Sequence, residues 1–292
     1  MNTAVTVAAP TLDDPAELRL ANAIAAMFAD TEQRFSRFLH DSELSQLNRA
    51  TEPITVSPEM MELLRTARQY VAQTGGVFDP TIGAALRAAG YDRSFSPGAL
   101  DRASPVTPRV HGDFAELVLD EHACRVLRPP HLYVDLGGFL KGRTVDRAAA
   151  IAPPLAMVDA GGDAVLRGAG VDHRGWLVDI EDPTDPDRSL LTLRLRDRAV
   201  ATSAANRRRW RAGKGTAHHL IDPRTGTPAV SDLVQVTAIA PTAERADVLA
   251  KVAFILGAND GARLLGGPDL GGVLIARDGS VRIVGDLEVE DA

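Results

Sequence analysis

Residues 156–168 read Ala156-Met-Val-Asp-Ala-Gly-Gly-Asp-Ala-Val-Leu-Arg-Gly168. Two short apolar runs, 156–159 and 164–168, meet at Gly161-Gly162. Glycine tolerates the positive φ that a tight hairpin connection needs. Paired glycines also let backbone amides close on an anionic ligand. The residues alone leave both readings open. Three more strand-like runs follow, at 176–180, 190–195 and 199–203, with no helical pattern between them. Consecutive strands without crossover helices point to antiparallel pairing.

Working outward, residues 1–9 read as a strand, and residues 13–48 as helix with a break near 40–42. Leu18, Leu20, Ala21, Ile24, Ala25 and Phe28 recur there at helical spacing. Ser57-Pro58-Glu59 is a cap followed by proline at the first helical position, which opens a helix to about residue 75. Residues 81–89 form another short helix, and 94–108, rich in Pro, Ser and Asp, read as loop. Strands are expected near 114–119, 124–127 and 133–136, then a helix at 141–151. Helices at 243–257 and 260–265 and strands at 271–276 and 281–284 close the chain. No βαβ alternation and no internal repeat is visible. The expected class is α+β, with mixed, largely antiparallel sheets and packed helices. One domain over residues 1–292 is expected, mostly helical to about 110 and strand-rich from about 111.

The chain has a formal net charge of -7 and one cysteine, Cys124. An internal disulfide and a Cys-rich metal site are excluded, and nucleic acid is not an expected partner. No run reaches the apolar length of a membrane span. Residues 1–10 show neither a basic leader nor a lipidated cysteine, so a cytoplasmic protein is expected. The basic run Arg207-Arg208-Arg209 with Arg211 fits an anionic ligand or a solvated face equally.

Three further segments carry chemistry. Asp135-Leu-Gly-Gly-Phe-Leu-Lys141 sets two glycines between an acid and a base at a helix start, where phosphate is favoured. A structural turn fits the same residues. Gly76-Val-Phe-Asp-Pro-Thr81 reads as a helix entry. Thr216-Ala-His-His-Leu-Ile-Asp-Pro-Arg-Thr-Gly226 ends in a turn signal with two histidines upstream. Histidine titrates near neutrality and is the first candidate for proton transfer. A strand entering a tight turn with two surface histidines accounts for the same pattern.

In this order and spacing, the four segments resemble the ApbE-like flavin transferases (FAD:protein FMN transferases), from Met1-Asn-Thr to about Gly285. The resemblance implies an ApbE-like, T-fold-like architecture. It also implies an enzyme that splits FAD at its pyrophosphate, links FMN through a phosphoester to a Ser or Thr of an acceptor protein, and releases AMP. His219 then matches the base, with His218 on the other side of the strand. Phe38 matches an aromatic that stacks in the flavin site, and Met1, Val77, Phe78 and Asp79 match FAD contacts. Asp135, Lys141 and Leu220 correspond to flavin-nucleotide contacts. Gly161, Gly162 and Asp163 form a turn near the flavin, and Thr202 and Ser203 a pair that enters the site.

The resemblance further implies Mg²⁺, held by the Gly138 carbonyl, by Asp247 and by a Thr or Ser four residues later. That last position is Lys251 here. Positions i and i+4 share a helix face, so Lys251 is expected to point where the metal sits and to pair with Asp247. A protonated lysine cannot ligate Mg²⁺. Ala204-Ala205-Asn206 also departs from the family's glycine-containing continuation. These departures keep open an FAD-binding homologue without transfer (a carrier, sensor or assembly partner) and an FAD pyrophosphatase using water.

Overall fold

In the computed structural model, residues 3–94, 101–102, 113–212 and 215–290 are described. The opening segment folds as the hairpin its glycines permit. Ala156–Ala160 and Asp163–Arg167 pair antiparallel, with Met157 opposite Leu166 and Val158 opposite Val165. Gly161 and Gly162 make the turn at φ +61° and +89°. This hairpin lies within a seven-stranded sheet. Its strands are β1 (Val5–Ala8), β2 (Ala156–Ala160), β3 (Asp163–Arg167), β4 (Arg198–Ala204), β5 (Leu233–Ala240), β6 (Gly271–Ala276) and β7 (Val281–Val284). They lie side by side in that order, every pair antiparallel.

The central strands of the sheet are buried on both faces. From one face Val200, Ile239, Val273 and Ile275 meet Ile180, Leu193 and Leu195. These last belong to a three-stranded sheet of Trp176–Asp182, Asp185–Leu195 and Glu288–Glu290. From the other face small residues, among them Ala201, Ala238 and Ala240, admit the helices closely. Double burial explains why β5 is absent from the sequence reading. Leu-Val-Gln-Val-Thr-Ala-Ile-Ala lacks the polar alternation of a half-exposed strand.

The helices are α1 (Asp14–Phe35), α2 (Glu43–Arg49), α3 (Pro58–Gln73), α4 (Gly83–Ala88), α5 (Leu140–Ile151) and α6 (Ala243–Leu265). α1 starts at Asp13, whose carboxylate accepts from the Ala16 amide at 2.9 Å, and buries Ile24, Phe28, Thr31 and Phe35 along one stripe. α3 starts as expected at the Ser57 cap with Pro58 behind it. The two C-terminal helices predicted at 243–257 and 260–265 form one run kinked at Gly257, where φ is 82°. Asp232 accepts from the Ala258 amide at 3.0 Å and so caps the second half.

Several expected strands differ. Residues 133–136 are extended, yet they join no sheet beyond one bridge between Ile82 and Tyr133. The Tyr133 carbonyl accepts from the Gly83 amide at 2.9 Å and the Asp135 amide donates to the Pro80 carbonyl at 2.7 Å, while the Asn48 side-chain amide takes both polar groups of Val134 between them. Residues 114–119 split into a 3₁₀ turn, Phe114–Glu116, and the strand Val118–Asp120. Cys124 is a half-buried turn residue at φ 49° rather than the start of a strand. Residues 94–108, expected as loop, lie largely outside the described residues, although Asp101–Arg102 pairs as a short strand. No helix among the described residues is long and apolar enough to cross a membrane.

Candidate functional site

A cleft opens where the end of α1, the segment before α4, the entry to α5 and the residues after His218 converge. Local sequence sets each wall. Asp79 is nearly buried and spends both carboxylate oxygens on the fold. One accepts from the Thr81 amide (2.7 Å) and hydroxyl (2.6 Å), the other from the Phe114 amide (3.2 Å). Burial nonetheless raises the Asp79 pKa. This turn presents Val77 and Phe78 to the cleft. Phe78 lies edge-on to Phe139 at 6.1 Å and covers Gly138, where a β-carbon would come within 2.8 Å of the Phe78 ring. Gly138 is therefore needed for the close approach.

Opposite stands a stack of cation and rings. The Arg37 side chain is only 4% exposed, and its Nε pairs with Asp135. Its guanidinium lies 4.1 Å from the centre of the Phe38 ring and 4.7 Å from that of Tyr91. Tyr91 stacks in turn on Trp210 at 5.6 Å. Arg37 Nη2 is buried without a hydrogen-bond partner, and such donors are costly unless something accepts from them.

Two lysines reach the cleft, each tied to a buried acid. Lys141, in the first turn of α5, lies 2.6 Å from Asp163 Oδ2 and donates to the Ala160 carbonyl at 2.9 Å. The Lys141–Asp163 contact lies outside good hydrogen-bond geometry and is ionic. Lys251, on α6, pairs with Asp247 Oδ1 and donates to the Asp247 carbonyl at 3.2 Å. Asp163 is held above the usual carboxylate range by burial first and by the charge of Asp247 second.

His219 lines the cleft beside Arg208, Lys251 and Leu220. Its Nδ1 is buried and unpartnered. Burial first, then the charges of Arg208 and Lys251, hold its pKa well below the ordinary value of 6.5, so the ring is neutral at pH 7. His218 faces elsewhere. Its Nδ1 accepts from the Leu220 amide at 3.3 Å, its Nε2 donates to the Ala229 carbonyl at 3.2 Å, and its ring meets Phe254 edge-on at 5.9 Å. The turn that follows is pinned by Asp222, whose carbonyl accepts from the Gly226 amide at 2.9 Å.

The ApbE family profile matches residues 1–273. The chain belongs to the ApbE family. It is 29% identical over 247 residues to the FAD:protein FMN transferase of Haemophilus influenzae, covering 80% of this chain and 71% of that protein. It is 32% identical over 246 residues to that of Treponema pallidum, covering 77% and 68% respectively. The ApbE protein of Thermotoga maritima superposes with a TM-score of 0.82 at 26% identity, covering 97% of this chain and 94% of that one. The flavin transferase ApbE of Vibrio cholerae gives 0.77 at 25% identity, with the same coverage.

Of the residues that the ApbE resemblance singled out, Phe38, Val77, Phe78, Asp79, Asp135, Gly138, Lys141, His219 and Leu220 line this one cleft. Asp163 and Asp247 reach it only through their lysines. Gly161 and Gly162 do not line it and act as the β2–β3 turn. Thr202 and Ser203 lie on β4, away from the lining. There Thr202 Oγ1 meets Thr237 Oγ1 across the strands at 2.9 Å, and Ser203 is buried. Met1 lies outside the described residues. Arg208, from the basic run, also lines the cleft, whereas Arg37 and Tyr91 were not picked out by motif. The adjacency of Arg37 to Phe38 was the available signal.

The donors present do not fit the magnesium ion expected of an ApbE-family chain. Mg²⁺ needs near-octahedral oxygen ligation. Here one Asp247 oxygen is taken by an ammonium group, and Asp163 is taken by another. Among the described residues no group of three or more His, Cys, Asp or Glu side chains could hold a metal. The basic run is engaged locally: Arg207 pairs with Glu181, and Arg208 donates to the Tyr91 hydroxyl at 3.4 Å.

Proposed function

We propose that this ApbE-family chain is an FAD:protein FMN transferase, acting as one domain over residues 1–292. The observation that carries this reading is the placement of a neutral histidine, His219, in an aromatic-walled cleft that two lysines also enter. Aromatic faces suit the isoalloxazine and adenine rings. Lys141 and Lys251 suit the pyrophosphate between them. The curated relatives of similar sequence carry this activity in their names.

In the proposed reaction an acceptor Ser or Thr hydroxyl oxygen bonds to the FMN phosphorus. The bond from that phosphorus to the oxygen bridging to the AMP half breaks, and AMP leaves with that oxygen. The hydroxyl proton passes to His219. A base for this proton contributes about 10²–10⁴-fold. The depressed pKa keeps that base unprotonated at neutral pH.

The test is incubation of the purified chain with FAD and an acceptor domain bearing an exposed Ser or Thr. AMP release and the covalent flavin mass on the acceptor are measured. His219→Ala should lose transfer by about 10²-fold or more while still binding FAD. Full activity in that variant overturns the assignment of the base. FAD binding by the unaltered chain with neither product would favour a carrier or sensor, and AMP without labelled acceptor a pyrophosphatase.

A further inference from the structure

We infer that Lys251 is the resident cation on Asp247, and that this chain neutralises the reacting phosphoryl oxygens with the Lys251 ammonium in place of a divalent metal. The inference rests on the flavin-nucleotide reading of the cleft. Its warrant is the arrangement of α6. Asp247 is 3% exposed and stands on the helix face turned inward, and Lys251 follows one turn later on the same face. The side chain of Lys251 is 19% exposed, its ammonium is bound to Asp247 Oδ1 and to the Asp247 carbonyl, and it lines the cleft beside His219. A cation held at two points by its own helix is preorganised, as a charge-stabilising group must be.

The local charge count supports the substitution. Asp247 and Asp163, the latter pushed toward its neutral form by burial and by Asp247, face the Lys141 and Lys251 ammoniums, so the two acids carry no negative charge in excess of the two cations. Adding a dication would place it against the Lys251 ammonium without the oxygen shell that Mg²⁺ demands. Lysine supplies a compact, strongly hydrated point charge with three donors, of which two are spent on Asp247 and one is left for a phosphoryl oxygen. No bond beyond those of the proposed transfer is made or broken, because Lys251 acts by charge and hydrogen bonding alone.

The test combines calorimetric titration of MgCl₂, FAD affinity, and AMP release in EDTA or in Mg²⁺. The unaltered chain should show no saturable Mg²⁺ heat, with or without FAD, and the same FAD affinity in both buffers. Lys251→Thr restores an oxygen ligand beside Asp247. It should acquire saturable Mg²⁺ binding, and its FAD affinity should become Mg²⁺-dependent by about tenfold or more. Lys251→Met should slow AMP release by about 100-fold. If Lys251→Met leaves Asp247 uncompensated and fails to fold, Lys251→Thr in Mg²⁺ still decides. Saturable Mg²⁺ binding by the unaltered chain, or AMP release that stops in EDTA, overturns the inference while leaving the flavin reading intact. Absence of FAD binding in both buffers overturns the flavin reading and the inference with it.

Discussion

Asn48 offers the sharpest test of how this fold holds its cleft. It lies on α2 and is 5% exposed. Its Nδ2 donates to the Val134 carbonyl at 2.8 Å, and its Oδ1 accepts from the Val134 amide at 2.7 Å. One side chain thus does for Val134 what a neighbouring strand would do. Val134 is fully buried and adjoins Asp135, the acid that holds Arg37. Asn48→Ala leaves a buried N–H and a buried C=O without partners, at about 1–3 kcal/mol each. The expected loss is about 2–6 kcal/mol, a large share of a typical stability of roughly 5–15 kcal/mol. Urea unfolding followed by fluorescence of Trp176 and Trp210 measures it, with an unchanged slope and a lowered midpoint. Asn48→Asp keeps the acceptor but sets a carboxylate oxygen against the Val134 carbonyl, and should cost at least as much. If Asn48→Ala loses less than about 1 kcal/mol, the claim that this amide substitutes for a strand is refuted.

Three further outcomes are expected. In Gly142→Ala, the new β-carbon falls 2.4 Å from the Ala243 carbonyl oxygen. The variant should lose about 1–3 kcal/mol in a thermal melt, although alanine is the better helix former; unchanged or raised stability would count against the close α5–α6 contact. Asp146 caps α6 through the Ala243 amide (2.7 Å) and the Glu244 amide (2.9 Å), and burial raises its pKa to about 6. A raised acid favours the fold below its unfolded pKa and loses that contribution as pH rises through the folded one. Wild type should therefore lose about 2–3 kcal/mol relative to Asp146→Asn between roughly pH 4 and 6, and parallel stability curves would contradict this. Arg37→Lys removes a planar group that packs beside both the Phe38 and Tyr91 rings and should weaken FAD binding by about tenfold in a fluorescence titration, an unchanged affinity showing that the guanidinium does not reach the ligand.

Legibility followed burial and locality. Caps and turns act over a few residues, so Ser57-Pro58 and the Gly161-Gly162 hairpin could be placed from sequence. The kink at Gly257 was legible only as a helix end, because its continuation depends on Asp232, 26 residues away in sequence. β5 was invisible for the opposite reason: burial on both faces erased its alternation. The cleft was half legible. His219, Phe78 and Lys141 stand in motifs, whereas Arg37 gains its place from Asp135 and Tyr91, both distant in sequence. The 133–136 segment looked like a strand because its backbone is extended. Its partners are a single bridge to residues 80–83 on one side and the Asn48 side chain on the other, which no strand-pairing pattern announces.

One contact governs the spacing of the site's charges. Gly142 lets α5 approach the first turn of α6, and Asp146, one turn on, grips the same turn through its two amides. Glu244 ties that turn to Arg143 at 2.9 Å and to the Tyr70 hydroxyl at 2.8 Å. Lys141 directly precedes Gly142, and Asp247 stands four residues after Ala243 with Lys251 one turn beyond. The separation of the two lysines is therefore set by how tightly α5 meets α6. Under the proposed function, Gly142 and Asp146, which do not line the cleft, fix where positive charge stands within it. Damage there should thus appear in nucleotide affinity as well as in stability, whereas damage to the sheet core on the far face, at Leu193 or Val273, should lower stability alone.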